Sequence, residues 1–302
     1  MNELIDTRAP GESLPRRFVF FVATRFAPLK YLPYCALWVG SLQLMASRAY
    51  PNESQLSLVA YLCSTASAFV LLLFLRVVDE IKDLEHDRVH NPERAFASGR
   101  VPVSDASFYL VFCSFAASVL QRGHLLLLGA ASAVMSYSLL LLYLDRAFPR
   151  FAASMFPNIA LAIQLKTLLS VFVLLNVLEG AADQWSTWLP VVVAHVAAYL
   201  HWEILRKIQW PAATLPGERL YSNELGVSGS LLIASACLIA ALCLVRWMLA
   251  PSAYSALLVL PAVPLSVAVW TLFRSRAQRV RIGGLGLLGY LSFLIVNIVC
   301  SL

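Results

Sequence analysis

Nine apolar runs, each near the ~20 residues that an α-helix needs to cross a bilayer, occupy almost the whole of this chain. They lie at about 31–47, 56–78, 105–121, 124–144, 152–177, 187–205, 227–249, 254–273 and 283–301. In lipid a backbone N–H or C=O finds no water, so a spanning segment must bond within itself as a helix or close into a barrel. Runs of this length and evenness specify helices. The expected fold class is an all-α membrane protein, a bundle of nine transmembrane helices. In 302 residues such a bundle leaves no room for a separate soluble domain. The expected organisation is an N-terminal arm over 1–29 and one transmembrane domain over 30–302. The arm holds Pro10, Gly11, Pro15, Arg16, Arg17 and Pro28, which suggest a mobile or surface-lying segment. No apolar run precedes a cleavage site there, so no signal peptide is expected.

Lys and Arg favour the cytoplasmic ends of such helices. One side collects Arg8, Arg16, Arg17, Arg25 and Lys30, then Arg76, Lys82, Arg88, Arg94 and Arg100. Arg146, Arg150, Arg206, Lys207, Arg219, Arg274, Arg276, Arg279 and Arg281 follow. The other side has Arg48, Arg122 and Arg246. The expectation is a multi-pass protein of a bacterial-type inner or cytoplasmic membrane, with its N-terminus cytoplasmic. This asymmetry explains the net charge of +6 as attraction to anionic lipid. Nucleic acid is not an expected partner, because no basic patch interleaved with aromatics stands on a soluble element. The six cysteines all sit in apolar runs without a Cys-x-x-Cys pair, so they read as small buried hydrophobes.

Where the second run meets water the chain reads Arg76-Val-Val-Asp-Glu-Ile-Lys-Asp-Leu-Glu-His-Asp87. If this stretch is one helix, Asp79, Glu80, Asp83, Asp87 and Arg76 fall within a stripe about 100° wide, since each residue advances about 100°. Like charges four residues apart repel, so the stripe is unfavourable unless a cation is expected. Oxygen ligands suit a hard ion, and Mg²⁺ typically binds through one or two carboxylates plus substrate phosphates. The competing reading is a solvated acidic helix end. The loop that follows, from Arg88 to Pro102, is polar and basic. Its Arg88, Arg94 and Arg100 suit bidentate contact with phosphate, or ordinary anchoring at the cytoplasmic face.

The acidic run and its loop resemble the first signature of the UbiA superfamily of intramembrane prenyltransferases, Asn-Asp-x-x-Asp-x-x-x-Asp followed by a basic loop. Asp79 stands at the Asn position and Glu80 at the first Asp. Asp83 and Asp87 match, as do Arg94, Ser98 and Gly99 in the loop, while Ala95 replaces the usual Pro. The second signature, Asp-x-x-x-Asp at the end of the sixth run, is altered: Glu203 stands first and Lys207 second, with Arg206 beside it. Two readings fit. The cationic pair binds diphosphate in place of a second metal, or Glu203 pairs with Lys207 across one turn. Lys166, inside the fifth run, is costly if it faces lipid. It either reaches a bound diphosphate, replacing a lysine absent after Tyr137, or is structurally paired.

The resemblance implies a UbiA prenyltransferase-like bundle that uses Mg²⁺ to transfer a prenyl group from an allylic diphosphate to a small, aromatic or lipophilic acceptor. Asp79, Glu80, Asp83 and Asp87 are the implied metal ligands, with Glu80, Asp83 and Asp87 the main ones and Asp79 either an extra ligand or one that supports them from behind. Arg76, Arg88, Arg94, Lys166 and Arg206 are the implied diphosphate contacts, and Asp83, Asp87, Glu203 and Lys207 the implied catalytic residues. A terpene cyclase of the same superfamily would keep the acidic motif. A transporter is the third class, but its ionisable groups usually sit at the bilayer midplane, whereas these lie at an edge. His195 and His201 read as packing residues. Tyr31, Tyr34, Trp38, Trp202 and Trp210 read as interface-belt residues.

Overall fold

The computed structural model describes residues 12–49, 57–148, 155–177, 185–214, 220–249, 255–275 and 282–302, and among them there is no strand. Arg8, Arg150, Arg219, Arg276, Arg279 and Arg281, counted above for charge asymmetry, lie outside the described residues. The helices are α1 (Leu14–Phe21), α2 (Pro28–Ala49), α3 (Leu58–Lys82), α4 (Leu84–His90), α5 (Asp105–Leu120), α6 (Leu125–Ala147), α7 (Met155–Leu175), α8 (Trp185–Leu205), α9 (Tyr221–Met248), α10 (Ala262–Arg274) and α11 (Gly283–Ser301).

Each of the nine apolar runs contains a helix, but fewer qualify as membrane-crossing by length and composition. Among the described residues six do: Leu58–Lys82, Leu125–Ala147, Trp188–Leu205, Tyr221–Met248, Ala256–Arg274 and Gly283–Ser301. Asp105–Leu120 and Ile159–Leu175 are apolar but shorter. Helix α2 is long enough at 22 residues, yet Ser41, Gln43 and Ser47 dilute its apolar character. Large apolar side chains such as Val111, Phe115, Leu126, Leu232, Ile239 and Trp247 stand exposed on these helices. A soluble protein rarely exposes so much apolar surface. The chain is an integral membrane protein.

The chain divides into two compact units, Met1–Ala36 with Leu62–Ala152, and Leu37–Tyr61 with Ala153–Leu302. In the first, the N-terminal arm is not loose where it is described. Its α1 continues into a π-helical turn, Val22–Phe26. That turn ends at Ala27 with φ 46°, a left-handed conformation that residues with a Cβ rarely adopt. Aromatic packing holds it there. Phe21 meets Tyr109 at 5.4 Å and Phe96 at 5.2 Å, and Phe26 stacks on Tyr31 at 4.2 Å and meets Phe69 edge-on at 4.9 Å. Arg17 adds a fork to Asp105, with Nε–Oδ2 at 2.6 Å and Nη2–Oδ1 at 3.1 Å. Asp105 opens α5, where a carboxylate also complements the helix dipole.

In the second unit, α9 and α11 pack against α8 around Ile204, Leu205, Ile208, Leu231, Ala234 and Leu272. A row of glycines, Gly283, Gly286 and Gly289, brings α11 onto α8. A Cβ at Gly283 would come to 2.9 Å from the Arg206 Cβ and 3.0 Å from its Cα, and one at Gly286 would meet the Leu205 Cβ at 3.0 Å. Small residues are how helices in lipid achieve such approach, because lipid supplies no hydrophobic push between them. Helix α9 is kinked at Gly226, with φ 68° and ψ 166°, a region essentially reserved for glycine. Trp38, read from sequence as a belt residue, is fully buried. Trp202 stacks on Tyr290 at 6.0 Å, and Trp210 donates Nε1–H to the Leu272 carbonyl at 2.8 Å. Trp38 therefore serves as packing and not as a belt residue, while Trp202 and Trp210 are partly buried in these contacts.

Replacing Gly283 by Ala sets a methyl group against backbone. We expect it to destabilise the protein by about 1–3 kcal/mol, read as a lower unfolding temperature in detergent, while Gly284→Ala, which meets nothing within 4 Å, leaves that temperature near the parent value.

Candidate functional site

Helix α3 ends at Lys82, and Asp83 sits in a bend (φ −86°, ψ 1°) before α4. The last rung of α3 runs from the Asp83 N–H to the Asp79 carbonyl at 2.9 Å, and the first rung of α4 from the Asp87 N–H to the Asp83 carbonyl at 2.8 Å. The helical ladder is interrupted between these two rungs, and the acidic stripe inferred from one straight helix is split. Asp79 and Asp83 are exposed, whereas Glu80 and Asp87 are buried.

The two buried acids are held by guanidinium groups. The Glu80 Oε1 accepts from Arg25 Nε at 2.9 Å and Arg25 Nη2 at 2.6 Å, and is also bonded by Arg76. Asp87 accepts from Arg94 Nη1 at 2.5 Å and from Asn91 Nδ2 at 2.9 Å. A buried carboxylate is tolerated only with such partners. Asp79 and Asp83 have no hydrogen bond or ion pair to a basic side chain among the described residues. Asp83 reaches solvent, but the chain crowds its other sides. Burial first, and then the negative field of Asp87, push its carboxyl above the usual carboxylate range. The Arg76 Nε–H is buried with no partner, a donor suited to an incoming anion.

No group of three or more His, Cys, Asp or Glu side chains converges as a ready metal cage among the described residues. The donors that stand open are the two carboxylates of Asp79 and Asp83, one helical turn apart. That set fits Mg²⁺, which commonly takes one or two protein carboxylates and completes its shell with water and phosphate oxygens. It does not fit a cage of all four acids.

The basic loop is shaped by Gly99, with φ 72°, and by the buried Ala95 and Phe96. Arg94 turns inward to Asp87, and Arg100 lies over the Phe20 ring at 3.7 Å. Arg88 instead pairs outward with Glu85 at 2.8 Å, so it is not drawn to the acidic group. Arg25 escaped the sequence reading because it lies 55 residues from Glu80. Its only sequence signal was a basic residue in the arm, indistinguishable from membrane anchoring.

In the second unit Glu203, Arg206 and Lys207 form one closed group. Arg206 grips Glu203 with Nε–Oε2 at 2.5 Å and Nη2–Oε1 at 2.8 Å, and Lys207 Nζ lies 3.0 Å from Oε1. The Glu203–Lys207 pair that one of the two readings expects is present, with Arg206 on the same carboxylate. Lys166 is buried on α7, its Nζ 3.3 Å from the Trp38 ring centroid and 5.2 Å from that of Tyr199. Two aromatic faces thus support the ammonium. His195 bonds Ser41 Oγ at 2.9 Å and the Val191 carbonyl at 2.8 Å, and His201 bonds the Ala234 carbonyl at 3.0 Å. His195 is bonded at both ring nitrogens, whereas the buried His201 Nε2 has no hydrogen-bond partner among the described residues.

Solved structures share this architecture. A UbiA homologue from Aeropyrum pernix K1 superposes with a TM-score of 0.58 at 18% identity, over 88% of this chain and 98% of that one. A structure described as a digeranylgeranylglyceryl phosphate synthase in membranes superposes with a TM-score of 0.57 at 13% identity, over 95% and 99% of the two chains. No family model matches the sequence, and no curated protein matches it. The chain has the UbiA-type fold.

Removing Arg25 as Ala leaves Glu80 with Arg76 alone. The expected cost is about 1.5–3 kcal/mol, the range for hydrogen bonds to charged groups, read as faster amide exchange over residues 14–26. Asp83 gives a signed pH effect. Its folded pKa lies above its unfolded one, so its ionisation removes stability as pH rises between the two. Asp83→Asn is therefore expected to unfold at a higher temperature than the parent at neutral pH, with the difference vanishing in acid.

Proposed function

We propose that this protein transfers a prenyl group from an allylic prenyl diphosphate to a lipophilic acceptor within the membrane. One observation carries the reading. At the end of an apolar helix, in a chain of UbiA-type fold, Asp79 and Asp83 stand open one turn apart beside the guanidinium groups that hold Glu80 and Asp87. A transporter reading would need its charged groups near the bilayer midplane; this acidic group lies where α3 ends.

An allylic diphosphate leaves only when its developing charge is neutralised. Mg²⁺ held by Asp79 and Asp83 supplies that neutralisation when bound. The chain adds its own donors. Arg76 offers its unpartnered Nε–H, and Arg25 and Arg94 keep N–H groups beyond those used on Glu80 and Asp87, since each guanidinium carries five. Glu80 and Asp87 fix these arginines in place before substrate arrives, so little reorganisation remains at the reacting moment. As the carbon–oxygen bond breaks, the electron pair leaves with the diphosphate. The allylic carbon then bonds to the acceptor, which releases a proton. Apolar helices keep water from the cation, whose capture by water would give only the alcohol. The basic edge, with Arg16, Arg17, Arg25, Arg94 and Arg100, faces the cytoplasm under this reading, where a soluble diphosphate is delivered. The fold of a digeranylgeranylglyceryl phosphate synthase supports a prenyl donor of this kind.

Purified protein in detergent, given geranyl, farnesyl or geranylgeranyl diphosphate with a membrane lipid extract as acceptor source, is expected to release diphosphate only with Mg²⁺ and to form a prenylated product seen by mass. Asp79→Ala and Asp83→Ala are each expected to lower that release by about 10²–10³-fold, as loss of one transition-state contact does. A cyclised hydrocarbon formed without acceptor would replace this reading with a cyclase; release that ignores Mg²⁺ would overturn the metal assignment.

A further inference from the structure

We propose that His86 and His90 form a two-imidazole site for a divalent transition-metal ion, distinct in chemistry from the carboxylate pair, and that the ion staples helix α4. The chain has five histidines. His195 and His201 are buried and bonded internally, and His124 stands alone at the start of α6. His86 and His90 are both exposed and lie four residues apart on α4, the spacing that puts two side chains on one helical face. Their rings are parallel within 16°, with centroids 4.2 Å apart.

The second observation concerns the protons. The Nδ1 of His90 lies 3.0 Å from the His86 carbonyl. A carbonyl only accepts, so that nitrogen carries the hydrogen and Nε2 keeps the lone pair. The Nδ1 of His86 faces the Asp87 Oδ1 at 3.8 Å, which favours the same tautomer. A ring nitrogen turned to a carbonyl or carboxylate, with the other left free, is the arrangement found behind most metal-binding histidines. Contact between two rings requires neither orientation.

Imidazole suits Zn²⁺, Co²⁺, Ni²⁺ and Cu²⁺, while Mg²⁺ prefers oxygen. The stretch His86-Asp-Arg-Val-His90 also differs by Asp for Glu from a metalloprotease helix, in which the residue after the first histidine is a general-base Glu. Asp87 stands there but is buried against Arg94 and Asn91. It has no reach to an activated water, so the site is not hydrolytic. Its effect falls on α4 itself. A helix of seven residues is far below the ~12–15 at which an isolated helix becomes stable, and an ion spanning one turn ties its first half to its last. Because Asp87 lies within that turn, the staple also holds the Asp87–Arg94 pair.

The test uses the full chain without a polyhistidine tag, in detergent with millimolar Mg²⁺ to occupy oxygen sites. NiCl₂ is titrated by calorimetry, and amide exchange over residues 84–91 is followed with and without the ion. The expected result is one saturable site whose occupancy slows exchange in α4. His86→Ala and His90→Ala should each weaken it on the order of tenfold or more, since even outer partners of a ligand cost that much, and Asp79→Asn should leave it unchanged. Both histidines are exposed, and His90→Gln, which keeps size and polarity, guards against a folding effect. Equal Ni²⁺ binding by parent and histidine variants, or binding lost in Asp79→Asn alone, would overturn the proposal. Neither outcome touches the prenyl-transfer reading, which rests on Mg²⁺-dependent release.

Discussion

Glu80 is buried at the end of a membrane helix, and a carboxylate in that position is stable only if cations follow it inside. Arg76 comes from one turn earlier on the same helix, and Arg25 from a separate segment far back in the sequence. To bring Arg25 there, the first described residues must form α1, a π-helical turn and a strained Ala27. The aromatic contacts of Phe21 and Phe26 hold that path in place. One charge thereby dictates the course of the N-terminal segment, and the same contact leaves Asp79 and Asp83 as the acids without guanidinium partners.

The second unit meets a similar problem in other ways. Lys166 finds two aromatic rings. Glu203 is neutralised by its own neighbours Arg206 and Lys207. The glycine row of α11 then lets a helix lie directly on the Arg206 backbone, while the Arg206 side chain stays exposed as it holds Glu203. Lys166 and Glu203 are thus met by adjacent rings or within a turn, in keeping with the absence of water as a fallback.

Much of this was legible in the chain. Apolar runs of spanning length located the helices, because lipid leaves a segment few alternatives. The acids, the basic loop and the altered Glu203-x-x-x-Lys207 pair were visible as charges placed where charges are costly. What stayed hidden depends on contacts between distant segments. The division of four acids into two buried and two open follows from the bend at Asp83 and from Arg25, and helical angle alone supplies neither. Lys166 announced that it needed a partner, but that the partner was the Trp38 ring on another helix could not be counted along one helix. Among the described residues six of the nine runs carry a helix that qualifies as a crossing, because a helix can be apolar in parts yet too short or too mixed in polarity to qualify.

The bend at Asp83 has a consequence for how this chain can vary. A single residue, Asp83, separates the two helices and is bonded at both its N–H and its carbonyl, so the bend has no spare residue to absorb a slip. One inserted residue anywhere from Arg76 to Asp87 would rotate everything beyond it by about 100°, turning an inward acid outward and leaving its arginine facing nothing. Substitutions in this stretch can be graded, since Glu and Asp differ by one methylene and carry the same charge. Changes in length cannot. The chemistry here is written in spacing as much as in residue identity, and drift among its descendants should be read by counting before it is read by similarity.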